Sequence, residues 1–361
     1  MFEDKKRTVT FEISFRIPIL DHRRKRNVQR TRKVKKDTSK ATQTMTTMKA
    51  AILQKIGNPT TEEILTVEEN VDVPQPKKDE VLIKVRAAAV NPVDWKIMQG
   101  LFPGKSSGTV GFDVSGVVEQ IGLDTTTDLK VGDEIYADAI ETGGGSFAEY
   151  VVVQAVAASR KPSNIGFTEA AALPLAGLTA LQGLVTHGGF KSGQTVCILG
   201  GSGGVGSLAV QMAKAMGAAH VYATGSSVDM IKGFGADTVI NYKEQSVAEE
   251  LKGKELDLVF DTIGGIKDCE AAKGALKKGG KFVTIALFGN PDPEYHLFLT
   301  NTKAPEVVND MKKLTELVEA GKVKPVLDVR KFELTTKSVN DMIQASVTHR
   351  AKGKLVLIVS S

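Results

Sequence analysis

Cysteine is scarce in this chain: Cys197 and Cys269 are the only two among 361 residues, and they form no Cys-x-x-Cys pair. Two cysteines cannot build a disulfide framework or a four-cysteine zinc site, and so low a count is typical of a reducing compartment. Long apolar runs are also missing. No stretch approaches the roughly 18 consecutive apolar residues of a membrane-spanning helix, so we expect no transmembrane segment.

Basic residues do not outnumber acidic residues in most of the chain. Of the 47 Lys and Arg residues, 14 lie in residues 1–47, together with five of the 42 Asp and Glu residues. Residues 48–361 therefore carry 33 basic and 37 acidic side chains, which does not favour general nucleic-acid binding. The run HRRKRNVQRTRKVKK at 22–36 would attract any polyanion, so we expect no specific nucleic-acid partner.

The segment before residue 48 has no predicted folded role. Residues 8–20 alternate apolar and polar side chains like a strand, but the basic run behind them is typical of disorder. The opening MFEDKKR contains acidic residues, which transit peptides avoid. We therefore expect a cytoplasmic protein, with targeting to a mitochondrion or plastid through this extension as the alternative.

Two patterns divide the remaining chain. Residues 48 to about 160 contain short strand-like runs separated by turn residues, which predicts a β-rich domain. From about residue 168, helical patterns, including one over TEAAALPLAGLTALQGLVTHG and one near 266–278, alternate with apolar runs such as TVCILG. This alternation is typical of a doubly wound parallel sheet, so we predict an α/β fold. The ending GKLVLIVS predicts a strand that could join either sheet.

A glycine-rich segment, ILGGSGGVGSLAVQ, follows one apolar run and opens a helical pattern, the context that a dinucleotide-binding loop requires. Gly201 would form the tight turn, Gly203 would admit a pyrophosphate, and Gly206 would let the helix pack on the strand. A plain strand-to-helix turn is the alternative, and a P-loop is excluded because no Lys-Ser or Lys-Thr follows. The candidate phosphate-binding residues are Gly201, Ser202, Gly203, Gly204, Val205 and Gly206.

Acidic residues are absent where an NAD-specific site needs one. No Asp or Glu occurs from Ser207 to Val228, although the ribose contact is expected about 20 positions after the glycines. Ser226 and Ser227 follow the next strand-like run and could donate hydrogen bonds to a 2′-phosphate. The sequence therefore favours NADPH, with NADH as the alternative. Ser226 and Asp229 also fit a helix capping box, which could coexist with phosphate binding.

Five motifs occur in the order found in one enzyme family. They are AAAVNPVDWK at 87–96, GFDVSGVVEQIG at 111–122, VGDEIYA at 131–137, AAALPLAGLTALQGL at 170–184 and GADTVINY at 235–242. From about residue 48 onward the chain resembles the zinc-free, quinone oxidoreductase-like branch of the medium-chain dehydrogenases/reductases. The resemblance implies a GroES-like catalytic domain over 48–168, completed by about 320–361, a Rossmann domain over 169–319, and a homodimer; residues 1–47 have no counterpart.

The resemblance also implies an activity, hydride transfer from NADPH to a quinone or an α,β-unsaturated carbonyl. Asn91 would lie beside the nicotinamide ribose and substrate as the candidate catalytic residue, and a turn-forming Asn before proline is the alternative. A Thr bonded to the preceding helical turn is the alternative for Thr179, and a surface lysine is the alternative for Lys232 and Lys354. The resemblance places Thr179, Tyr242 and Lys354 at the cofactor, and Lys232 could supply a counter-charge to the 2′-phosphate. The loops DTIGG and IALFG fall at the carboxyl ends of strands, where such sheets bind ligands, which adds Thr262, Ile263, Leu287 and Phe288 as cofactor-binding candidates.

Zinc ligands are missing from the matching positions. Zinc alcohol dehydrogenases carry Cys where Asn91 stands and Gly-His-Glu where this chain has GFD at 111–113, and Phe cannot bind zinc. Related enoyl reductases often carry a tyrosine proton donor where Ile56 stands, which disfavours a fatty enoyl-thioester substrate. His187 and His296 are single histidines that we expect to be structural or exposed. A cofactor-binding scaffold, or a nucleic-acid- or membrane-associated protein acting through its basic extension, is the competing hypothesis.

Overall fold

The computed structural model describes residues 47–101, 108–287, 292–303 and 306–360. The strands are β1 Thr47–Leu53, β2 Leu65–Asp72, β3 Glu80–Ala89, β4 Gly108–Thr109, β5 Asp113–Ile121, β6 Glu134–Asp138, β7 Tyr150–Gln154, β8 Ala158–Arg160, β9 Thr195–Leu199, β10 His220–Thr224, β11 Thr238–Ile240, β12 Leu256–Asp261, β13 Leu276–Thr284, β14 Tyr295–Leu297, β15 Phe332–Glu333 and β16 Val356–Ile358. The helices are α1 Pro92–Met98, α2 Phe167–Ala171, α3 Pro174–Leu181, α4 Gly204–Ala215, α5 Val228–Gly233, α6 Val247–Leu251, α7 Ile266–Lys273, α8 Glu306–Glu319 and α9 Thr336–Val347. Within these ranges, no helix combines the length and the apolar character needed to cross a bilayer.

Six strands form one parallel sheet in the order β11-β10-β9-β12-β13-β14. The central strand β9 pairs with β10 on one side and β12 on the other, and its last four residues are buried. Helices α4 to α7 connect the strands from β9 to β13 in sequence order. This arrangement confirms the predicted α/β fold with a Rossmann-type sheet. Cys197, on β9, and Cys269, on α7, are buried as free thiols in the same apolar cluster.

Three elements around the parallel sheet differ from the sequence prediction. The helix predicted as continuous breaks into α2 and α3 before Pro174, because proline has no N–H to donate to the preceding turn. Directly after α3, the helix continues with the wider π-helical geometry over Gln182–His187. Helix α7 ends at Lys273 and not near 278, since Leu276 already pairs with Leu256. Strand β14 carries no clear sequence pattern and was not predicted.

Two mostly antiparallel sheets form the GroES-like part. One has the order β2-β1-β4, and the other runs β15-β16-β3-β5-β6-β8, with β7 also paired to β3. The C-terminal strand β16 lies antiparallel to β3, with Val356 opposite Ala89, so it joins this sheet and not the parallel one. The domain boundaries near residues 168 and 320 stay predictions.

Tyr136 attaches α8 to the antiparallel sheet. This fully buried residue of β6 donates a hydrogen bond from its hydroxyl to the carbonyl oxygen of Met311 at 3.0 Å. The same hydroxyl lies 3.0 Å from the Oγ1 atom of Thr315, one turn further along α8. Burial raises the pKa of Tyr136, so the phenol keeps its proton and remains a donor at all physiological pH values.

We predict that Tyr136→Phe lowers the free energy of unfolding by about 1 kcal/mol, the usual net contribution of a buried hydrogen bond. Urea denaturation followed by circular dichroism measures this change. Tyr150→Phe, on the half-buried strand β7, is the matched control and should shift stability by less than about 0.5 kcal/mol. Equal stability of the Tyr136→Phe variant and the wild type would show that this hydroxyl does not anchor α8.

Candidate cofactor and substrate site

The glycine loop that joins β9 to α4 turns at Gly200. This residue has a φ angle of +90°, so it is the left-handed residue of the turn, and the assignment of the tight turn to Gly201 is wrong. The N–H of Gly201 instead donates to the carbonyl oxygen of Thr224 at 2.8 Å. The N–H of Gly200 donates to the Oγ1 atom of Thr224 at 3.0 Å. Thr224, the last residue of β10, therefore holds the turn from the neighbouring strand.

The next glycines of the loop leave room at the start of α4. A Cβ atom on Gly206 would collide with the carbonyl oxygen of Gly200, whereas one on Gly203 would meet only that oxygen, at 3.6 Å. Gly203 is the N-cap of α4, and the first N–H groups of a helix have no intrahelical acceptor. Ser202, in the loop, and Val205, the second residue of α4, are half-buried. An anion can therefore approach these N–H groups along the open side of Gly203.

The loops after β12 and β13 are held together by the buried carboxylate of Asp261. Its Oδ1 atom accepts the N–H of Ile263 at 2.9 Å, and its Oδ2 atom accepts the hydroxyl of Thr284 at 2.7 Å. The Oγ1 atom of Thr284 in turn accepts the N–H of Leu287 at 3.2 Å. One carboxylate thus fixes both loops at the carboxyl edge of the parallel sheet.

The predicted residues in these two loops differ in exposure. Thr262 donates its hydroxyl to the carbonyl oxygen of Leu199 at 2.7 Å, which ties the loop to the end of β9. Ile263 is largely exposed beside the glycine loop, and Leu287 is buried. Phe288 lies outside the described residues.

The candidate 2′-phosphate residues lie where β10 and β11 end side by side, with Thr224 paired to Ile240. Ser226 is exposed two residues after the end of β10, and Tyr242, 51% exposed, lies two residues after the end of β11. Lys232 is exposed on α5. Backbone pairing therefore brings Ser226 and Tyr242 to the same edge of the sheet.

The capping box predicted between Ser226 and Asp229 is wrong. The N-cap of α5 is Ser227, and no side chain caps this helix. Because α5 begins one residue later than the pattern suggested, Asp229 occupies its second position and not the third, which a capping box requires. The hydroxyl of Ser226 is thus not used to start the helix.

Lys354 is buried, and its interpretation as a surface lysine is wrong. The residue is only 6% exposed, and its Nζ atom donates to the Oδ1 atom of Asn91 at 2.5 Å and to the Oδ2 atom of Asp113 at 2.8 Å. The Nδ2 atom of Asn91 donates to the same carboxylate oxygen at 2.9 Å. The other oxygen of Asp113 accepts the N–H of Leu175 at 2.8 Å. Ammonium, amide and carboxylate form a closed triangle of hydrogen bonds.

The backbone before Lys354 rests on the glycine loop. Gly353 has a φ angle of +92°, and its N–H donates to the carbonyl oxygen of Ser202 at 3.2 Å. The lysine side chain passes the first residue of α4, where a Cβ atom on Gly204 would lie 2.9 Å from Lys354 Cδ. The C-terminal segment therefore brings a buried cation from the glycine loop to Asn91.

Two further buried carboxyls flank this triangle. The Oδ2 atom of Asp94 accepts the N–H of Asn91 at 2.6 Å, and the Oδ1 atom of Asp138 accepts the N–H of Ile140 at 2.7 Å. The second oxygen of each is buried and has no hydrogen-bond partner. Loss of water on burial raises the pKa of Asp94 to about 8 and also raises the pKa of Asp138 far above its ordinary value. In weakly acidic solution both carboxyls therefore hold protons.

Thr179 lies one turn after the start of α3, which Asp113 anchors through Leu175. Its hydroxyl donates to the carbonyl oxygen of Leu175 at 2.6 Å and lies 2.5 Å from the Oγ1 atom of Thr300. The bond to the preceding turn is the alternative that the sequence left open. A role of Thr179 at a nicotinamide phosphate stays a prediction.

Several polar residues of the site were not singled out from the sequence. Asp113 and Asp261 lie inside the motifs GFDVSG and DTIGG, so a signal for them was present. Thr224 and Thr284 are marked only by their place at the end of apolar strands. The contact of His187 Nδ1 with His296 Nε2 at 3.0 Å was also missed, because the two histidines are 109 positions apart in the sequence.

No group of three or more His, Cys, Asp or Glu side chains that could hold a metal ion occurs in the part of the chain that the structure describes. Phe112 is buried, and its ring offers no ligand atom to a metal. Asn91 and Asp113 are hydrogen-bonded to each other and to Lys354.

Comparison with known proteins identifies the family. Residues 77–163 match the alcohol dehydrogenase GroES-like domain, and residues 204–311 match the family described as zinc-binding dehydrogenase. The chain is 41% identical over 307 residues to an NADPH-dependent alkenal/one oxidoreductase of Arabidopsis thaliana chloroplasts, covering 82% of this chain and 76% of that protein. It is 34% identical over 308 residues to a chloroplast envelope quinone oxidoreductase homolog of the same plant, covering 80% and 92%.

A solved mycobacterial structure in complex with NADPH has the same fold, with a TM-score of 0.73 and 25% identity over 86% of this chain and 99% of the other. The fold is that of a medium-chain dehydrogenase/reductase. Within that superfamily, the chain belongs to the quinone oxidoreductase-like branch, and it is an oxidoreductase.

Substitutions at two glycines of the loop should affect different properties, stability at Gly206 and cofactor binding at Gly203. We predict that Gly206→Ala lowers the free energy of unfolding by roughly 1–3 kcal/mol, because its Cβ strikes backbone. Gly203→Ala should cost less than about 1 kcal/mol but should weaken NADPH binding at least about tenfold by narrowing the approach to the N–H groups. Urea denaturation and nicotinamide fluorescence titration measure the two effects. Undiminished NADPH affinity in the folded Gly203→Ala protein would contradict the assignment.

Proposed function

We propose that this oxidoreductase transfers hydride from NADPH to a quinone or an α,β-unsaturated carbonyl without a zinc ion. The observation that carries the proposal is the triangle of Lys354, Asn91 and Asp113, which extends from the glycine loop to the residue that stands in place of a zinc ligand. The relatives named as alkenal/one and quinone oxidoreductases support this choice of acceptor.

The carboxyl edge of the parallel sheet fits a dinucleotide. The strand order reverses between β9 and β12, and sheets of this kind bind ligands at that crevice. The open approach at Gly203 suits a pyrophosphate, and Thr179, Thr262, Ile263 and Leu287 would line the nicotinamide half. Residues 207–228 contain no acidic side chain that would repel a 2′-phosphate. We assign Ser226, Ser227, Lys232 and Tyr242 to the adenosine end, with NADH as the alternative cofactor.

The protein would contribute in two ways: it would position the cofactor and the acceptor, and it would stabilise the negative charge that develops on the acceptor. When bound, NADPH supplies the hydride. The amide of Asn91 is held at both ends and offers a fixed polar group to the ribose and acceptor. The ammonium of Lys354 is hydrogen-bonded to this amide, so its positive charge would favour negative charge developing on the acceptor oxygen. Because Ile56 stands where a tyrosine donor is expected, water would protonate a reduced enone.

We propose a cytoplasmic location, with a mitochondrion or plastid as the alternative. Both plant relatives are named as chloroplast proteins, which supports the plastid alternative. Residues 1–46, which would carry such an address, lie outside the described residues.

The proposed activity is tested by cofactor oxidation with a short quinone and with a small enone. We predict turnover of at least one acceptor, with kcat/KM for NADPH at least about tenfold above that for NADH, and no loss of rate after dialysis against a zinc chelator. Asn91→Ala should lower kcat/KM about 100-fold, since it removes the group between Lys354 and the acceptor. The proposal is wrong if neither cofactor binds in the micromolar to millimolar range usual for enzymes, or if chelation abolishes turnover.

We also propose a homodimer. Strand β14 is one of the two edge strands of the parallel sheet within the described ranges, β11 being the other, and an uncovered edge readily pairs with another strand. Leu297 and Leu299, 37% and 55% exposed, add apolar surface at this edge.

We predict that light scattering after gel filtration gives twice the 38.6 kDa of one chain. Leu299→Lys should shift the protein toward the monomer, because it buries a charge in the interface. Leu123→Lys, at an exposed leucine on a turn, is the matched control and should leave the mass unchanged. A wild-type mass of one chain at micromolar concentration would rule out this dimer.

A further inference from the structure

The buried charges around Lys354 do not balance without additional protons. Three carboxyls, those of Asp94, Asp113 and Asp138, face this one ammonium, and all four residues are buried. Asp113 receives three hydrogen bonds, whereas Asp94 and Asp138 each receive one backbone N–H and leave one oxygen without a partner. Glu141, on the turn after β6, adds a further negative charge near Asp138.

Lys354 is one of several groups that affect how tightly these carboxyls hold their protons. Burial raises the pKa values of Asp94 and Asp138, repulsion by Asp113 raises them further, and the positive charge of Lys354 lowers both. An anion that shares the charge of Lys354 would remove part of this lowering. Asp94 and Asp138 would then bind protons at a pH at which they were partly ionised.

The glycine loop is the place from which an anion can act on Lys354. The lysine stem lies against Gly204, the first residue of α4, and the preceding Gly353 bonds to Ser202 of the loop. Phosphates at the N-terminal N–H groups of α4 would therefore compete with Asp113 for the same ammonium.

We propose that Asp94 and Asp138 are positioning residues that take up a proton when dinucleotide phosphates bind at the glycine loop, so that Lys354 can turn its charge from Asp113 toward the phosphates. This inference rests on the proposed function, since it requires a dinucleotide in that loop. The proton comes from solvent, bonds to a carboxylate oxygen, and returns to solvent when the cofactor leaves. No electron moves and no covalent bond to the cofactor forms.

The sign of the pH dependence follows from proton uptake on binding. Uptake is largest where the free protein has partly lost its protons, which for Asp94, with a pKa of about 8, means near pH 8. Cofactor affinity should therefore fall as the pH rises through this region. The slope of log Kd against pH equals the number of protons taken up.

Calorimetry of NADPH binding to the full chain at pH 8 tests the inference. The titration is repeated in HEPES, Tricine and Tris, whose ionisation enthalpies differ, and the slope of the observed enthalpy against that quantity counts protons. We expect uptake of about 0.3 to 1 proton per site. NADH should give a similar count, which separates the buried cluster from protonation of the 2′-phosphate.

Matched variants assign the proton to the cluster. Lys354→Met should abolish the uptake, since no ammonium remains through which the phosphates can change the pKa values of the carboxyls. Asp138→Asn should reduce the uptake while keeping an acceptor for the N–H of Ile140. Lys352→Met, at the exposed lysine two residues earlier, is the control and should keep the wild-type count. The Asp138→Asn result decides the assignment even if Lys354→Met does not fold.

The outcomes distinguish this inference from the proposed function. Tight NADPH binding without proton exchange overturns the inference and leaves the reductase proposal standing. A wild-type proton count in Asp138→Asn, or in a folded Lys354→Met protein, also overturns it. If neither NADPH nor NADH binds, the proposed function fails and the inference fails with it.

Discussion

The ammonium of Lys354 joins parts of the chain that are far apart in sequence. It bonds to Asn91 at the start of α1 and to Asp113 at the start of β5, and Asp113 in turn holds the first turn of α3. Burying an ion pair removes water from both charges, and the attraction between them recovers this cost only in good geometry. Such a pair is a poor source of stability, but it sets the relative positions of the glycine loop and the GroES-like sheet.

The same ion pair explains why the neighbouring carboxyls can be buried. Asp94 and Asp138 lack enough donors to remain ionised without water, so they are neutral acids in weakly acidic solution. One charged pair surrounded by neutral acids is a setting in which a small change of local charge moves protons. The protonation state of the site is therefore sensitive to nearby charge, although its hydrogen bonds fix its geometry.

Sequence reasoning found the parts of the site that depend on neighbours along the chain. The glycine loop was predicted because its strand, turn and helix are contiguous, and only the left-handed residue was misplaced by one position, at Gly200. The triangle could not be derived from the residues, because Lys354 lies 241 positions after Asp113 and a lysine before a strand is ordinarily solvated. Thr224 was missed for a similar reason, since its bonds to the glycine turn depend on strand pairing.

Lys354 is synthesised after all of its partners, which has a consequence for folding. Segments fold as they leave the ribosome, and the N-terminal part folds first. Asn91, Asp113 and the glycine loop are all made long before the lysine that connects them. Until Lys354 emerges and β16 pairs with β3, the carboxylate of Asp113 lacks the cation that binds it. The glycine loop and the strands before β16 are therefore synthesised before the residue that connects them, so the connection at the candidate site forms late in folding.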